Sequence, residues 1–209
     1  MPASGVLAEE TYRLPPVTVT HNKVGNINAY GLNVMRTYGN AQPPYGFMRF
    51  CDTHPQECTS DAVGLGRFNL TPAGRADLED INRLVNATIE PITDLELYGV
   101  TEHWTLPSDK GDCEDYALLK RKKLMERGWP ASALLMTVVK DEKGDGHAVL
   151  TARTRQGDYI LDNKTPKVLL WSKVPYEFMM RQSSLNPRAW VSLDPSHAPT
   201  TSISSPRQR

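Results

Sequence analysis

Apolar positions along this chain follow two periods, and the change from one to the other divides it. From Leu78 onward, Leu78, Ile81, Leu84, Val85 and Ile89 fall on one face of a helix. Thr71 is a good N-cap and Pro72 a good first helical residue, so a helix is predicted over about 72 to 90, stopped before Pro91. Ala117, Leu118, Leu124 and Met125 mark a second helix with one buried face. Asp112, Glu114 and Asp115 stand at its start, Lys120, Arg121, Lys122, Lys123 and Arg127 toward its end, and Gly128 and Pro130 stop it. That charge order suits the helix dipole at both ends. After Pro130 the pattern becomes that of strands: 133 to 140, 147 to 154, 159 to 163, and a short fourth over 168 to 171. Tyr176 to Met180 is expected to cap the sheet, and Trp190 to Leu193 to close it. Upstream the pattern is weak. Val17 and Val19 suit an edge strand, 26 to 36 a short helix or turn, 39 to 70 a long loop, and 91 to 110 a connection. The sum is an α+β domain with a helix packed on an antiparallel sheet. It is read as a single domain over 1–194, and 195–209, rich in Pro, Ser and Thr, as a disordered tail.

Composition narrows the function classes. Lys plus Arg and Asp plus Glu both number 24, so the net charge is zero and gives no footprint for nucleic acid. No apolar run approaches the roughly 18 residues that span a membrane. Cys51 and Cys58 lie close together in a proline-containing polar stretch, FCDTHPQEC. The spacing suits a local disulfide, which points to an oxidising compartment; the rival is a metal pair with His54, for which no second ligand pair completes a zinc site. The residues from Met1 to Gly5 show no basic region followed by an apolar stretch, so an exported protein would here be a mature form with an added start.

Cys113 is then the odd cysteine, and its place carries the chemistry. It opens the second helix in Gly111-Asp112-Cys113-Glu114-Asp115-Tyr116. Free N–H groups and the positive end of the dipole favour thiolate there, and thiolate is the nucleophile. A lone cysteine is more often a small core residue, but this one has polar neighbours, and His147 and Asp162 follow in the order of a Cys-His-Asp system. The imidazole draws the thiol proton and the carboxylate fixes the imidazole. His147 and Asp162 differ in parity, so a hairpin with an even loop puts both on one face. The shortest loops set His147 opposite a residue just past Asp162, and a bulge or longer turn is expected to bring the two together. Taken alone, His147 would be a strand-end surface histidine and Asp162 a turn residue. His103 and Trp104 lie on the approach to Cys113, where packing is the simpler role. The three carboxylates at Asp112, Glu114 and Asp115 are wrong neighbours for a thiolate unless a cation offsets them, and carboxylate oxygens are what calcium binds.

The run GDCEDYALLKRKKLMERG, then ALLMTVV, GHAVL and YILDN, resembles the bacterial transglutaminase-like cysteine peptidases of the papain-like, transglutaminase-like superfamily. The resemblance is strongest over about 95 to 170, and FCDTHPQEC looks like a subgroup of exported members. It implies the transglutaminase-like fold, with Cys113, His147 and Asp162 as catalytic triad. Acidic residues either side of the cysteine, here Asp112 and Glu114, are implied as calcium ligands, as in adhesin-releasing members of the family. The implied activity is hydrolysis of a peptide or amide bond through a thioester, on a periplasmic or cell-surface protein substrate, with room for a regulatory protein partner. No cofactor is required for that chemistry. The alternatives are amide exchange by the same triad, or a peptide-binding module without turnover.

Overall fold

The stretch expected as a long loop opens with regular structure. Strand β1 (Asn40–Ala41) is followed by helix α1 (Tyr45–Thr53) and a 3-10 turn (Pro55–Cys58). Phe47, Phe50 and Cys51, at helical spacing, are the large residues α1 buries, with Gly46 beside them. A nine-residue helix carries few such positions, and Pro43-Pro44 before it reads as loop. The computed structural model describes residues 33–59 and 67–197. The expected edge strand at Val17 and Val19, most of the 26–36 element, the glycines at 64 and 66, and the tail beyond His197 lie outside the described residues.

Cys51 and Cys58 form a disulfide. Closing so short a loop contributes about 2–3 kcal/mol in the chain-entropy account. The turn between the two cysteines docks on the second long helix, because Glu57 lies 3.7 Å from Arg121.

Helix α2 (Pro72–Thr88) begins as the sequence predicts, with Thr71 Oγ1 accepting from the Gly74 N–H at 3.1 Å. After β2 (Glu90–Pro91), the connection to residue 110 contains a helix that was not predicted, α3 (Asp94–Tyr98). Thr93 and Glu96 form a capping box around its first turn, and Gly99, at φ 71°, ends it in the left-handed region that favours glycine. Strand β3 (Lys110–Gly111) pairs in parallel with β2 and delivers the chain into α4 (Cys113–Glu126).

Six further strands follow: β4 (Leu134–Lys140), β5 (Gly146–Thr154), β6 (Gly157–Asp162), β7 (Thr165–Leu170), β8 (Glu177–Gln182) and β9 (Trp190–Ser192). With β1 they form one antiparallel sheet in the order β1-β9-β8-β4-β5-β6-β7. The α+β architecture expected from the sequence is the one observed. One element is corrected: β8 does not cap the sheet but lies inside it, between β4 and β9.

The sheet buries both faces. Leu134, Met136, Leu150 and Leu161 pack with Tyr116, Ala117, Leu118 and Leu124 of α4 and with Leu78 and Val85 of α2. Val139, Val149 and Ile160 face the other way, under Met35, Leu193, Trp171 and Phe178. Helix α4 is buried nearly all round, including Lys120 and Arg121. The sequence had assigned those two cations to the helix dipole; the packing of α2, the 3-10 turn and the sheet around α4 overrides that. Among the described residues no helix is long and apolar enough to cross a membrane.

Candidate functional site

Strand register brings His147 and Asp162 together. His147 is the second residue of β5 and pairs with Val139; Asp162 ends β6. The β5–β6 ladder keeps one register from Thr154↔Gly157 to Leu150↔Leu161, across a two-residue loop. Asp162 therefore lies diagonally from His147 on the same face, as parity predicts. No bulge is needed between β5 and β6, contrary to the expectation: diagonal neighbours on one face are close enough for long side chains. The irregularity falls instead between β6 and the edge strand β7.

His147 Nε2 and Asp162 Oδ1 are 2.9 Å apart, and both side chains are almost wholly buried. Asp162 takes two further hydrogen bonds on its carboxylate, from Tyr176 Oη at 2.6 Å and from the Lys164 N–H at 3.0 Å. Burial alone would raise this carboxyl, but the bonds from His147, Lys164 and Tyr176 together hold it below the ordinary range. It is an anion and only accepts. Nε2 must then carry the imidazole proton, which leaves Nδ1 as the basic nitrogen. The Asp162 carbonyl accepts from Asn86 Nδ2 of α2 at 2.9 Å, which fixes the backbone behind the pair.

Cys113 meets the sheet next to His147: its thiol accepts from the Ala148 N–H at 3.4 Å. It also donates to Glu114 Oε2 at 3.1 Å. Its hydrogen bonds do not include His147. By the pleat, His147 projects with Val149, and Ala148 projects to the other side. Burial, then the charge of Glu114, push the thiol well above its ordinary value. The helix start was expected to favour thiolate; in this arrangement burial and the adjacent carboxylate outweigh it.

Four carboxylates surround that helix start. Asp112 is the N-cap of α4, yet its side chain makes no capping bond. Its Oδ2 accepts from the Asp94 N–H at 3.3 Å, and its Oδ1 is buried without a partner. Asp115 Oδ1 accepts from the Thr105 N–H at 2.8 Å, and its Oδ2 is likewise buried and unpaired. Asp94 Oδ2 accepts from the His103 N–H. Oxygens of Asp94, Asp112 and Asp115 lie within 4.8 Å of one another. Asp112, Cys113 and Glu114 make a second such group. Burial raises Asp94 and pushes Asp115 up to about 7. Gly111 is required by this crowding, since a Cβ there would sit 2.6 Å from Asp115 Oδ2.

Asp94 and Tyr176 thus join the residues that the sequence singled out, Asp115 among them. Tyr176 carried no local signal, being 14 residues from Asp162 in sequence and reaching it from the segment before β8. Asp94 follows Thr93 in the capping box, a legible helix start, but nothing local aims it at Asp112. Trp104 packs in the core against Phe47 and Trp190, which is the simpler role foreseen for it. His103 lies against Tyr98.

Among solved structures, calcium-bound LapG of Legionella pneumophila is similar at a TM-score of 0.49 and 24% identity, over 59% of this chain and 71% of that one. EGTA-treated LapG gives a TM-score of 0.45 at 24% identity, over 54% of this chain and 64% of LapG. A third LapG structure gives 0.46 at 24%, over 56% and 66%. A search among curated proteins finds no match. The family model described as bacterial transglutaminase-like cysteine proteinase matches residues 37–198, a span holding Cys113, His147, Asp162 and every strand of the sheet. The chain therefore belongs to the bacterial transglutaminase-like cysteine proteinases and is a cysteine peptidase of that family.

Proposed function

We propose that this peptidase cleaves a peptide or related amide bond of a protein through a thioester on Cys113, with His147 and Asp162 as its partners. The observation that carries the reading is the buried His147–Asp162 pair at 2.9 Å beside a cysteine at a helix start. His147 Nδ1 takes the thiol proton as sulfur attacks the carbonyl carbon. The Cys113 N–H belongs to the helix's first turn, where no intrahelical acceptor exists, and in this reading it donates to the oxyanion. The imidazolium then protonates the leaving amine. A water gives its proton to the same nitrogen, its oxygen breaks the thioester, and the acid departs as the thiol re-forms. Asp162 remains an anion throughout, holding Nε2 and stabilising the imidazolium.

Such a protein acts outside the cytoplasm in this reading, in the periplasm or at the cell surface, because a disulfide of this kind persists in an oxidising compartment. The chain to Asp194 is taken as one domain.

The test is a search for new N-termini in periplasmic and surface protein exposed to the wild type or to Cys113→Ala. The wild type is expected to release a small set that the variant does not. Amines incorporated into protein with no new N-termini would instead mark amide exchange.

Calcium fits the carboxylates at the helix start. Asp94, Asp112 and Asp115 present hard oxygen donors, two of them buried without partners, and Glu114 adjoins Asp112 on the thiol side. Bound there, calcium would supply positive charge that offsets the anions around Cys113. Adding calcium to chelator-stripped protein is expected to raise the melting temperature by roughly 5–10 °C at a hundredfold excess over Kd. Asp112→Ala should lose that shift, and a stripped wild type indifferent to millimolar calcium would rule the site out.

A further inference from the structure

Tyr176 touches both members of the His147–Asp162 pair, and the chemistry above gives it no task. It stands on the connection from β7 to β8, after the 3-10 turn Trp171–Lys173. That connection crosses the sheet face on which His147 and Asp162 project, since Val174, Tyr176 and Phe178 pack on Val139, Val149 and Ile160. Pro175 keeps Val174 extended, at φ −98° and ψ 131°, which fixes how the chain approaches residue 176.

Two contacts follow from that placement. Tyr176 Oη donates to Asp162 Oδ2 at 2.6 Å, the length of an O–H···O⁻ bond. Its ring stands edge to face with the imidazole, the centroids 5.6 Å apart and the planes at 84°. The two carboxylate oxygens are thereby divided between donors. Oδ1 takes His147 Nε2 and the Lys164 N–H, and Oδ2 takes the tyrosine hydroxyl. Beside the carboxylate lies a cavity of about 240 Å³, lined by Ile160, Leu169, Val174, Tyr176 and Asp162 itself. A carboxylate at the rim of such a space, with Oδ2 unheld, is free to turn about its Cβ–Cγ bond or to take water there. The phenol remains a donor, because burial and then the bond to Asp162 raise it above its ordinary value. Glu142 and Asp141, in the turn between β4 and β5, act in the same direction, and Lys164 is engaged with Asp141 at 2.7 Å.

We propose that Tyr176 is a positioning residue of the peptidase: its hydroxyl locks Asp162 Oδ2, so that Oδ1 stays turned to His147 Nε2. The inference rests on the reading of Asp162 as the group that orients His147. Tyr176 acts through Asp162, so its contribution to the thiol's reactivity vanishes once that carboxylate is gone.

The test is a double-mutant cycle on the full chain, read by the rate of Cys113 alkylation with iodoacetamide at pH 7. Tyr176→Phe keeps the ring against His147 and removes only the hydroxyl. It is expected to fold and to alkylate roughly tenfold more slowly than wild type. In the Asp162→Asn background the same change is expected to have less than about a twofold effect. A folded Tyr176→Phe with the wild-type rate overturns the proposal. An equal loss in both backgrounds overturns it too, since it marks a packing role. In ¹⁵N-histidine-labelled protein, the His147 Nε2–H is expected to exchange with water roughly tenfold faster in Tyr176→Phe; unchanged exchange counts against the proposal as decisively. If Tyr176→Phe does not fold, 3-fluorotyrosine placed at position 176 decides. It has nearly the same shape and is a stronger donor, so it draws the carboxylate's charge toward Oδ2. The His147 Nε2–H resonance is then expected to move upfield, and an unmoved resonance overturns the proposal. Failure of the triad reading shows separately, as wild-type alkylation in His147→Ala or in Asp162→Asn.

Discussion

His147→Ala is expected to lower kcat/KM for Cys113-dependent cleavage by roughly 10⁴-fold or more, with the fold retained. The thiol needs a base because burial and Glu114 both hold it protonated. Nδ1 is the nitrogen left free for that task, since Nε2 is committed to Asp162. Asp162→Asn is expected to be milder, about 10²–10⁴-fold in kcat. The amide has nearly the shape of the carboxylate, but its NH₂ can donate to Nε2 and so reverse the tautomer. It also loses the charge that stabilises the imidazolium. Both variants are checked first by iodoacetamide alkylation at several pH values, and then by cleavage once a substrate is in hand. A His147→Ala protein that keeps a tenth of the wild-type rate would place the base elsewhere, and unchanged kcat in Asp162→Asn would make that carboxylate structural.

Asp158→Ala should cost about 3–5 kcal/mol of folding stability, seen as a fall of about 10 °C or more in melting temperature. Asp158 is the second residue of β6, at the opposite end of the strand from Asp162, and is fully buried. It accepts from Arg67 Nη1 at 2.6 Å, from Arg181 Nη1 at 3.4 Å and from the Met35 N–H at 2.9 Å. Arg153 adds a third guanidinium, lowered to about 10 by its burial and then by Arg181 and Arg67. Without the carboxylate, these cations face one another in the interior. The large loss comes from leaving buried charge uncompensated, and it exceeds what the ion pairs contribute when intact. Urea or thermal unfolding measures it. A variant within 1 kcal/mol of wild type would mean that the arginines relax to solvent.

Local rules were legible in the sequence where one element decides its own structure. Thr71-Pro72 started α2, the change of period after Pro130 located β4, β5 and β6, and the Cys51–Cys58 spacing gave the disulfide. The parity of His147 and Asp162 put them on one face for any even loop, because a register shift of two residues leaves the faces of a period-2 pleat unchanged. The resemblance of GDCED, GHAVL and YILDN to one family agrees with the match over residues 37–198. The short helices escaped because they carry few periodic positions: α1 has one buried stripe of Phe47, Phe50 and Cys51, and α3 has five residues with only a capping box to announce it.

What only the tertiary structure decided lies in contacts between distant segments. Strand β8 was read as a cap because its own pattern does not say which strands it pairs with; β4 and β9 on either side decide that. Asp94 is aimed at Asp112 and Asp115 by the β2–β3 pairing and the turn into α4. Tyr176 reaches Asp162 from another part of the sheet. Lys120 and Arg121 look like a solvated basic run in sequence, and the protonation of Cys113 looks like a helix-start thiolate. In both cases a property of one element, its charge order or its dipole, was outweighed by the removal of water. How much water a side chain loses depends on everything packed against it, so it is set by the assembled sheet, α2 and the disulfide turn rather than by the neighbours in sequence.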